Sequence, residues 1–480
     1  MVGTALRGMR AGIIGVAREG MALARYLCHS GAQVVLTDLK PADKLGDAIR
    51  GIEDLPVRLA LGGYPSDLLD TDVLFLSPGV PVDVPIVEEA RRTGVPISSE
   101  PRLFVQLFTN PVVGITGSSG KTTTTTLVGK MLASAGLHAW VGGNIGRPLI
   151  GELSAGALAD LAVMELSSFQ LELFRPGVQG SRIEEKRTPA SRAVSLEGWS
   201  PRIAVVTNIT PNHLDRHHTM ERYIQAKAAI VDYQSRDDWA VLNRDDAYAR
   251  SFGERTPAGL VEFSLTGPVQ QGGYLDEGQL KLAYGGSLNV ICRSDQVRLR
   301  GEHNLANVLA AACAARIAGA DIEAIRRVVL EFEGVPHRLE VVRRWKGITF
   351  VNDSIATTPE RAIAAIRAFG EPLVLLAGGR DKHLPWDSWA KWVERRVRLV
   401  IGFGECAPLV GEAMAQGAPE TAFLRCETLT EAIGLAARLA GEGEVVLFSP
   451  GGTSFDAYVD FEARGEAYRE LVCSLGDSDA

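Results

Sequence analysis

Short apolar runs, each closed by a glycine-rich or acidic turn and followed by a helix-length stretch, recur along the chain. The first begins Ala11-Gly-Ile-Ile-Gly15, leads into a helix over 21–29, and is followed by a second run, 32–38, ending in Asp38. The run 72–79 closes in a Pro-Gly turn at Gly79. Further runs cover 111–116, 160–165, 203–208, 347–352, 372–377 and 444–454, with helices over 123–133 and 358–369. Continuous apolar runs suit strands covered on both faces, so this repetition predicts parallel sheets packed between helices. The pattern lapses over 175–201, which is rich in Pro, Arg, Glu and Ser and reads as a loop insertion.

A chain of 480 residues exceeds one ordinary core, so two or three domains are expected. Breaks fall near 104–109 and at the hinge-like 334–338. They divide an α/β chain into a Rossmann-like domain over 1–107, a central P-loop ATPase-like parallel-sheet domain over 108–334, and a second Rossmann-like α/β domain over 335–480.

The most specific chemistry lies in Gly117-Ser118-Ser119-Gly120-Lys121-Thr122-Thr123, between an apolar run and a helix. Glycines let the backbone approach a phosphate, Lys121 brings a cation to the β- and γ-phosphates, and the Thr122 hydroxyl can ligate Mg²⁺. The first glycine of G-x-x-x-x-G-K-[ST] falls on Ile115, leaving the shorter G-x-x-G-K-T. Downstream, the run 160–165 ends in Glu165. Phosphate-transferring enzymes place a carboxylate there to hold Mg²⁺, although strands also end in acids for no such reason. Three of the eight histidines, His213, His217 and His218, fall together after the run 203–208. They read as a surface cluster or, at His213, as a second metal ligand.

Lys227 has Tyr223, Ile224, Ile230 and Val231 as its helical neighbours, an apolar face. A desolvated ammonium loses its proton readily, and the neutral amine can combine with CO₂ to give a carbamate, a metal-ligating anion. The commoner outcome is a packed stem with the head reaching water, and spacing alone favours it.

Composition narrows the classes. The chain is 46% hydrophobic and 22% charged, an ordinary globular balance, and its net charge of −8 argues against nucleic-acid or membrane-surface partners. Six scattered cysteines lack metal-ligand spacing and read as reduced thiols. No apolar stretch approaches the roughly 20 residues that span a bilayer, and no signal peptide opens the sequence, so the expected location is cytoplasmic.

The ordered set GSSGKTTT (117–124), GGNIG (142–146), ELSSFQLE (165–172), NITPNHLDRH (208–217), YIQAK (223–227), EHNLAN (302–307), PHRLE (336–340), NDS (352–354) and SPGGTSFD (449–456) resembles the Mur ligases of peptidoglycan synthesis. The resemblance covers essentially the whole chain apart from 175–201. GGNIG and ELSSFQLE resemble the branch that adds glutamate to UDP-N-acetylmuramoyl-L-alanine. It implies an ATP-dependent, amide-forming ligase working through an acyl phosphate, with D-glutamate expected, and a monomer acting on small molecules alone. Gly15, Asp38 and Gly79 would meet the uridine diphosphate, and Asn144, Ser167 and His213 the muramoyl substrate or its metals. Lys121 and Thr122 would hold the ATP phosphates, and Thr122 and Glu165 one Mg²⁺. His213 and a carbamylated Lys227 would hold a second ion. Asn304, Arg338 and Asp353 would surround adenine and ribose; Thr357, Lys382, Ser454 and Phe461 would line the amino-acid pocket.

Two departures stand out. The family pattern Asn-Asp-Ser-Lys-Ala-Thr-Asn is replaced by Asn352-Asp-Ser-Ile355-Ala-Thr-Thr358, which removes a cation. Lys382, or Arg380 nearby, would have to supply it, and L-glutamate stays open as the substrate. Arg18 and Glu19 stand where the family more often has small or hydroxyl residues. A reading from another class takes the first segment as the cofactor site of an NAD-dependent oxidoreductase, although Gly12, Gly15 and Gly20 do not have G-x-G-x-x-G spacing.

Overall fold

The computed structural model describes residues 6–154, 159–176, 197–299, 301–381 and 384–476. The chain forms two compact units, Met1–Phe332 and Glu333–Ala480. The predicted α/β class holds throughout, in three sheets. Among the described residues the first sheet has five parallel strands, in the spatial order Val57–Leu61, Gln33–Asp38, Arg10–Ile14, Val73–Leu76 and Ile97–Ser98. Strand order reverses between Arg10–Ile14 and Val73–Leu76, so the loops after these two strands diverge at a switch point.

The second sheet belongs to the same unit. Six parallel strands run Gly259–Ser264, Trp239–Asn243, Ile203–Val206, Val112–Thr116, Leu161–Glu165 and Ala139–Gly143. Gly272–Asp276 extends them in parallel, and Gln279–Tyr284 and Ser287–Arg293 add an antiparallel edge. That edge is absent from the sequence reading. Gln279–Tyr284 alternates buried and polar positions (Leu280 and Leu282 inward, Lys281 between them), and Ser287–Arg293 leaves Leu288 and Val290 exposed, so neither shows a continuous buried apolar run.

One buried cluster joins the first two sheets: Phe104, Phe108 and Trp140 stack across the helix Glu100–Leu107 and the strand Ala139–Gly143, with the Phe104 and Phe108 rings 5.1 Å apart. The sequence boundary at 107/108 lies at the end of that helix, inside the first unit, and the one at 334/335 lies just past the division at Phe332.

The second unit holds one sheet in the order Glu340–Trp345, Ile348–Asn352, Val445–Gly451, Leu373–Gly378, Val397–Phe403 and Ala422–Arg425, parallel except for its first pair. In its middle strand, Leu373, Leu375 and Ala377 face one core while Val374 and Leu376 face another. Burial on both faces is the physical content of the uninterrupted apolar run. The predicted insertion lies, over 177–196, outside the described residues.

Candidate active site

The strand Val112–Thr116 is buried at every position and delivers the loop 117–120 to the start of the helix Lys121–Ser134. Neighbouring chain moulds that loop. Ser118 N–H donates to the Asn208 carbonyl (2.9 Å), Ser119 N–H donates to Asn208 Oδ1 (3.0 Å), and Thr207 Oγ1 donates to the Ser119 carbonyl (2.6 Å). A Cβ on Gly117 would collide with Thr207 Oγ1. Gly120 has φ +80°, a left-handed value costly for other residues, and a Cβ there would strike Asn307 Oδ1. No side chain caps this helix N-terminus among the described residues. Its first-turn N–H groups have no intrahelical acceptors, which with the dipole favours a bound phosphate.

Thr122 Oγ1 donates to Glu165 Oε2 (2.7 Å), and Asn144 Nδ2 donates to the other carboxylate oxygen (2.8 Å). Parallel pairing sets Ile115 opposite Glu165, so adjacent strand ends carry the phosphate loop and the acid. Asn144 follows Gly143, whose φ of +89° and lack of a side chain let the turn pass against the Glu165 backbone. Asn144, an expected substrate contact, here orients Glu165.

Lys227, on the helix Met220–Ala228, is 1% exposed. Its Nζ donates to the Gly117 carbonyl (2.9 Å) and Thr116 Oγ1 (3.2 Å) and lies 4.9 Å from the centre of the Tyr223 ring. Lys121 Nζ donates to the same Gly117 carbonyl (3.1 Å). Burial, and after it the Lys121 charge, hold the Lys227 ammonium well below its ordinary pKa against the opposing pull of Glu165. The head reaching water, which spacing favoured, is not what the fold does.

His213 is exposed, in the left-handed region (φ 53°), with its ring set edge-to-face against Phe169, the ring centres 5.0 Å apart. His217 is the buried member of the cluster, stacked on Phe169 and bonded to Ser168 Oγ (2.9 Å). No group of three His, Cys, Asp or Glu side chains that could hold a metal occurs among the described residues.

In the first sheet, Asp38 Oδ2 accepts from Val16 N–H (2.9 Å) and Ser77 Oγ donates to the Gly15 carbonyl (3.1 Å), so the Gly15 turn is braced from the ends of the two strands that flank Arg10–Ile14. The exposed Gly79 lies in a loop whose Val80 carbonyl accepts from Arg216 (2.6 Å). Ser167 caps the helix Ser168–Glu172 in a reciprocal box with Gln170, whose Nε2 donates to Glu19 Oε1 (2.6 Å). Glu19 Oε2 and Glu100 Oε2 are sealed from solvent without hydrogen-bond partners among the described residues. Burial raises the Glu19 carboxyl to about 8, with the charge of Glu100 adding to the shift, and burial raises Glu100 to about 7. Gln170 and the Ile150 N–H, which donates to Glu100 Oε1 (2.8 Å), oppose these shifts.

Asn304 belongs to the first unit, on the helix Glu302–Ile317, and accepts from Asn307 Nδ2 (3.0 Å). Arg338 and Asp353 belong to the second. Asp353 is a buried brace, accepting from Ser449 Oγ (2.8 Å) and Leu339 N–H (3.2 Å), and burial raises it to about 7. Thr357 and Phe461 are half-buried and Ser454 is buried; Lys382 lies outside the described residues. Arg464, fully buried, donates to Ser354 Oγ (3.1 Å) and to the Ser354 and Gly452 carbonyls (2.9 and 3.1 Å), tying the 352–358 loop to the 449–456 loop. Arg380 is paired with both oxygens of Glu405 (2.8 and 2.9 Å), which commits it elsewhere than position 355.

Thr207, Asn208, Asn307 and Arg464 shape these sites and were not singled out from the sequence. Asn307 had a visible signal, since it follows Asn304 by one helical turn on the face toward Gly120.

A phosphate loop facing a strand-end carboxylate and a buried lysine defines a nucleoside-triphosphate-using enzyme. The Mur ligase MurD-like N-terminal domain matches residues 9–99, the Mur ligase middle domain 115–180 and 186–315, and the Mur ligase glutamate ligase domain 337–452. The chain belongs to the Mur ligase family. It is 42% identical over 469 residues to the UDP-N-acetylmuramoylalanine--D-glutamate ligase of Symbiobacterium thermophilum, covering 97% of this chain and 98% of that one. To the protein of the same name from Pelotomaculum thermopropionicum it is 38% identical, covering 96% and 97%. The fold is also that of UDP-N-acetylmuramate-alanine ligase from Thermotoga maritima (TM-score 0.54, 19% identity, 97% and 99% covered). A pseudomurein peptide ligase type C from Methanothermus fervidus shares it as well (TM-score 0.51, 18% identity, 98% and 100% covered).

Proposed function

We propose that this enzyme joins glutamate, as the D isomer, to UDP-N-acetylmuramoyl-L-alanine with cleavage of ATP to ADP and phosphate, in the cytoplasm. The observation that carries the reading is the convergence of Lys121, Lys227, Thr122 and Glu165 on the loop 117–120. Full-length relatives carrying that activity in their names support the choice of substrates.

The terminal alanine carboxylate attacks the γ-phosphorus of ATP, the bond to the bridging oxygen breaks, and ADP leaves. The glutamate amine then attacks the acyl carbon; phosphate departs and the nitrogen loses a proton as the amide forms. Both partners of the first step are anions, so Lys121 and the N-terminus of Lys121–Ser134 act by offsetting charge at the transferred phosphoryl group. Glu165 and Thr122 offer the hard oxygen donors that suit Mg²⁺, which when bound supplies further screening of these charges. A carbamate at Lys227, made when its buried amine in the neutral form bonds to the carbon of CO₂ and releases one proton, would put an anion beside the phosphate loop, and with His213 it would hold a second ion. Asn144 orients the Glu165 carboxylate for its role.

The test is ADP release by the full-length protein with ATP, Mg²⁺ and UDP-N-acetylmuramoyl-L-alanine across D- and L-amino acids. Turnover is expected with D-glutamate; product with L-glutamate alone would overturn the stereochemical part, and no turnover with any amino acid would overturn the whole. In the same assay Lys121→Ala should lose on the order of 10²-fold or more in kcat, the size of effect expected for deleting a transition-state cation.

A further inference from the structure

We infer that the short helix Ser168–Glu172 fixes the two loops that flank the switch point of the first sheet, and that Glu19 and Arg216 are the positioning residues through which it sets them for the diphosphate of the nucleotide substrate. The inference rests on the ligase reading above and concerns only the first unit. In an open parallel sheet a ligand sits beyond the carboxyl ends of the strands where their order reverses. Those ends are Ile14 and Leu76, and the loops that leave them begin at Gly15 and Ser77.

On one side, Glu19 lies in the first turn of the helix Arg18–His29, just past the Gly15 turn, and its Oε1 accepts from Gln170 Nε2 (2.6 Å). Gln170 Oε1 accepts from Ser167 N–H (2.9 Å). An amide has a donor end and an acceptor end, so an acceptor at Glu19 fixes which end faces Ser167. On the other side, Arg216 Nη2 donates to the Val80 carbonyl (2.6 Å), and Nη1 lies 3.4 and 3.5 Å from the Pro78 and Gly79 carbonyl oxygens. The guanidinium carbon stands 4.6 Å from the centre of the Phe169 ring. Burial raises the Glu172 carboxyl, and the charge of Arg216 opposes the rise. Phe169, Gln170 and Glu172 thus act on both loops from one short helix, and that helix begins just after Glu165. A trans peptide points its oxygen and its N–H opposite ways, so a loop whose oxygens face Arg216 turns the Gly79 N–H off the guanidinium. Gly79 is exposed, and nothing lies within 4 Å of where its Cβ would stand. An N–H so turned, beside open space, suits a phosphate oxygen.

The experiment uses the full-length protein in two measurements: calorimetric binding of UDP-N-acetylmuramoyl-L-alanine alone, and steady-state ADP release with each substrate varied in turn. Arg216→Ala and Glu19→Ala should each weaken nucleotide binding and raise its KM by on the order of 10-fold, the size of effect expected for losing a charge-assisted hydrogen bond. The ATP and glutamate KM values should stay within about twofold. Glu19→Gln, which keeps a carbonyl oxygen for the Gln170 amide, should recover most of the Glu19→Ala loss in both measurements. Unchanged nucleotide affinity in either alanine variant, an equal rise in all three KM values, or a Glu19→Gln as impaired as Glu19→Ala would overturn the inference. A wild type that turns over no amino acid would instead overturn the functional reading on which it rests.

Discussion

Lys227 and Lys121 donate to one carbonyl, that of Gly117, and only one of them has access to water. Burial, and after it the repulsion between the two ammonium groups, weakens the hold of Lys227 on its proton. That gives Lys227 chemistry a solvated lysine lacks at neutral pH. Lys227→Ala should therefore be nearly inactive while folding normally, and a short carboxylic acid added to the buffer should restore part of the rate by filling the space left beside Gly117. A variant with near-normal turnover, measured as ADP release, would show that the amine serves packing alone.

Three short elements meet at another buried charge problem. Glu19 from the helix Arg18–His29 and Glu100 from Glu100–Leu107 approach one another, and Gln170 from Ser168–Glu172 binds the first. The Glu19 carboxyl rises from its ordinary 4.5 to about 8 in the folded protein, so folding favours its protonated form. The resulting stability is fully present below pH 4.5 and is lost as pH rises through about 8. Glu19→Gln should accordingly melt with the wild type at pH 4.5 and above it at pH 9. Calorimetry giving the same difference at both pH values would contradict this.

The elements themselves were largely readable, because strands covered on both faces must be continuously apolar: Val112–Thr116, Leu161–Glu165 and Leu373–Gly378 each fall on a predicted run. The hairpin edge 279–293 was not, since a strand with one wet face, such as Gln279–Tyr284, needs only every second residue to be apolar. In the site, Lys121, Thr122 and Glu165 were legible from spacing along the chain. The role of Asn144 toward Glu165 and the clamp of Arg464 were not, because each depends on contacts between distant segments. Lys227 shows the limit most clearly: the apolar face was visible, but whether its head reached water depended on Thr116 and Gly117, more than a hundred residues away.

At the scale of the whole molecule, the unit Glu333–Ala480 has its own sheet and two cores, one on each face, built from its own residues. Expressed alone, residues 333–480 should fold cooperatively, with a sigmoidal denaturant transition and dispersed amide resonances. A fragment with the spectrum of an unfolded chain would contradict that independence.

The pairing of Ile115 with Glu165 sets a rule for how this chain can vary in length. Side chains alternate faces along a strand, so one residue gained or lost within either partner would invert Glu165 and part it from Thr122. Between strands the rule relaxes, because lengthening a loop costs little and leaves the phase of the strands unchanged. The stretch 175–201 falls in such a gap, after the helix that follows Glu165 and before Ile203–Val206. Insertions and deletions are therefore expected to collect there and to be purged from 112–116 and 161–165.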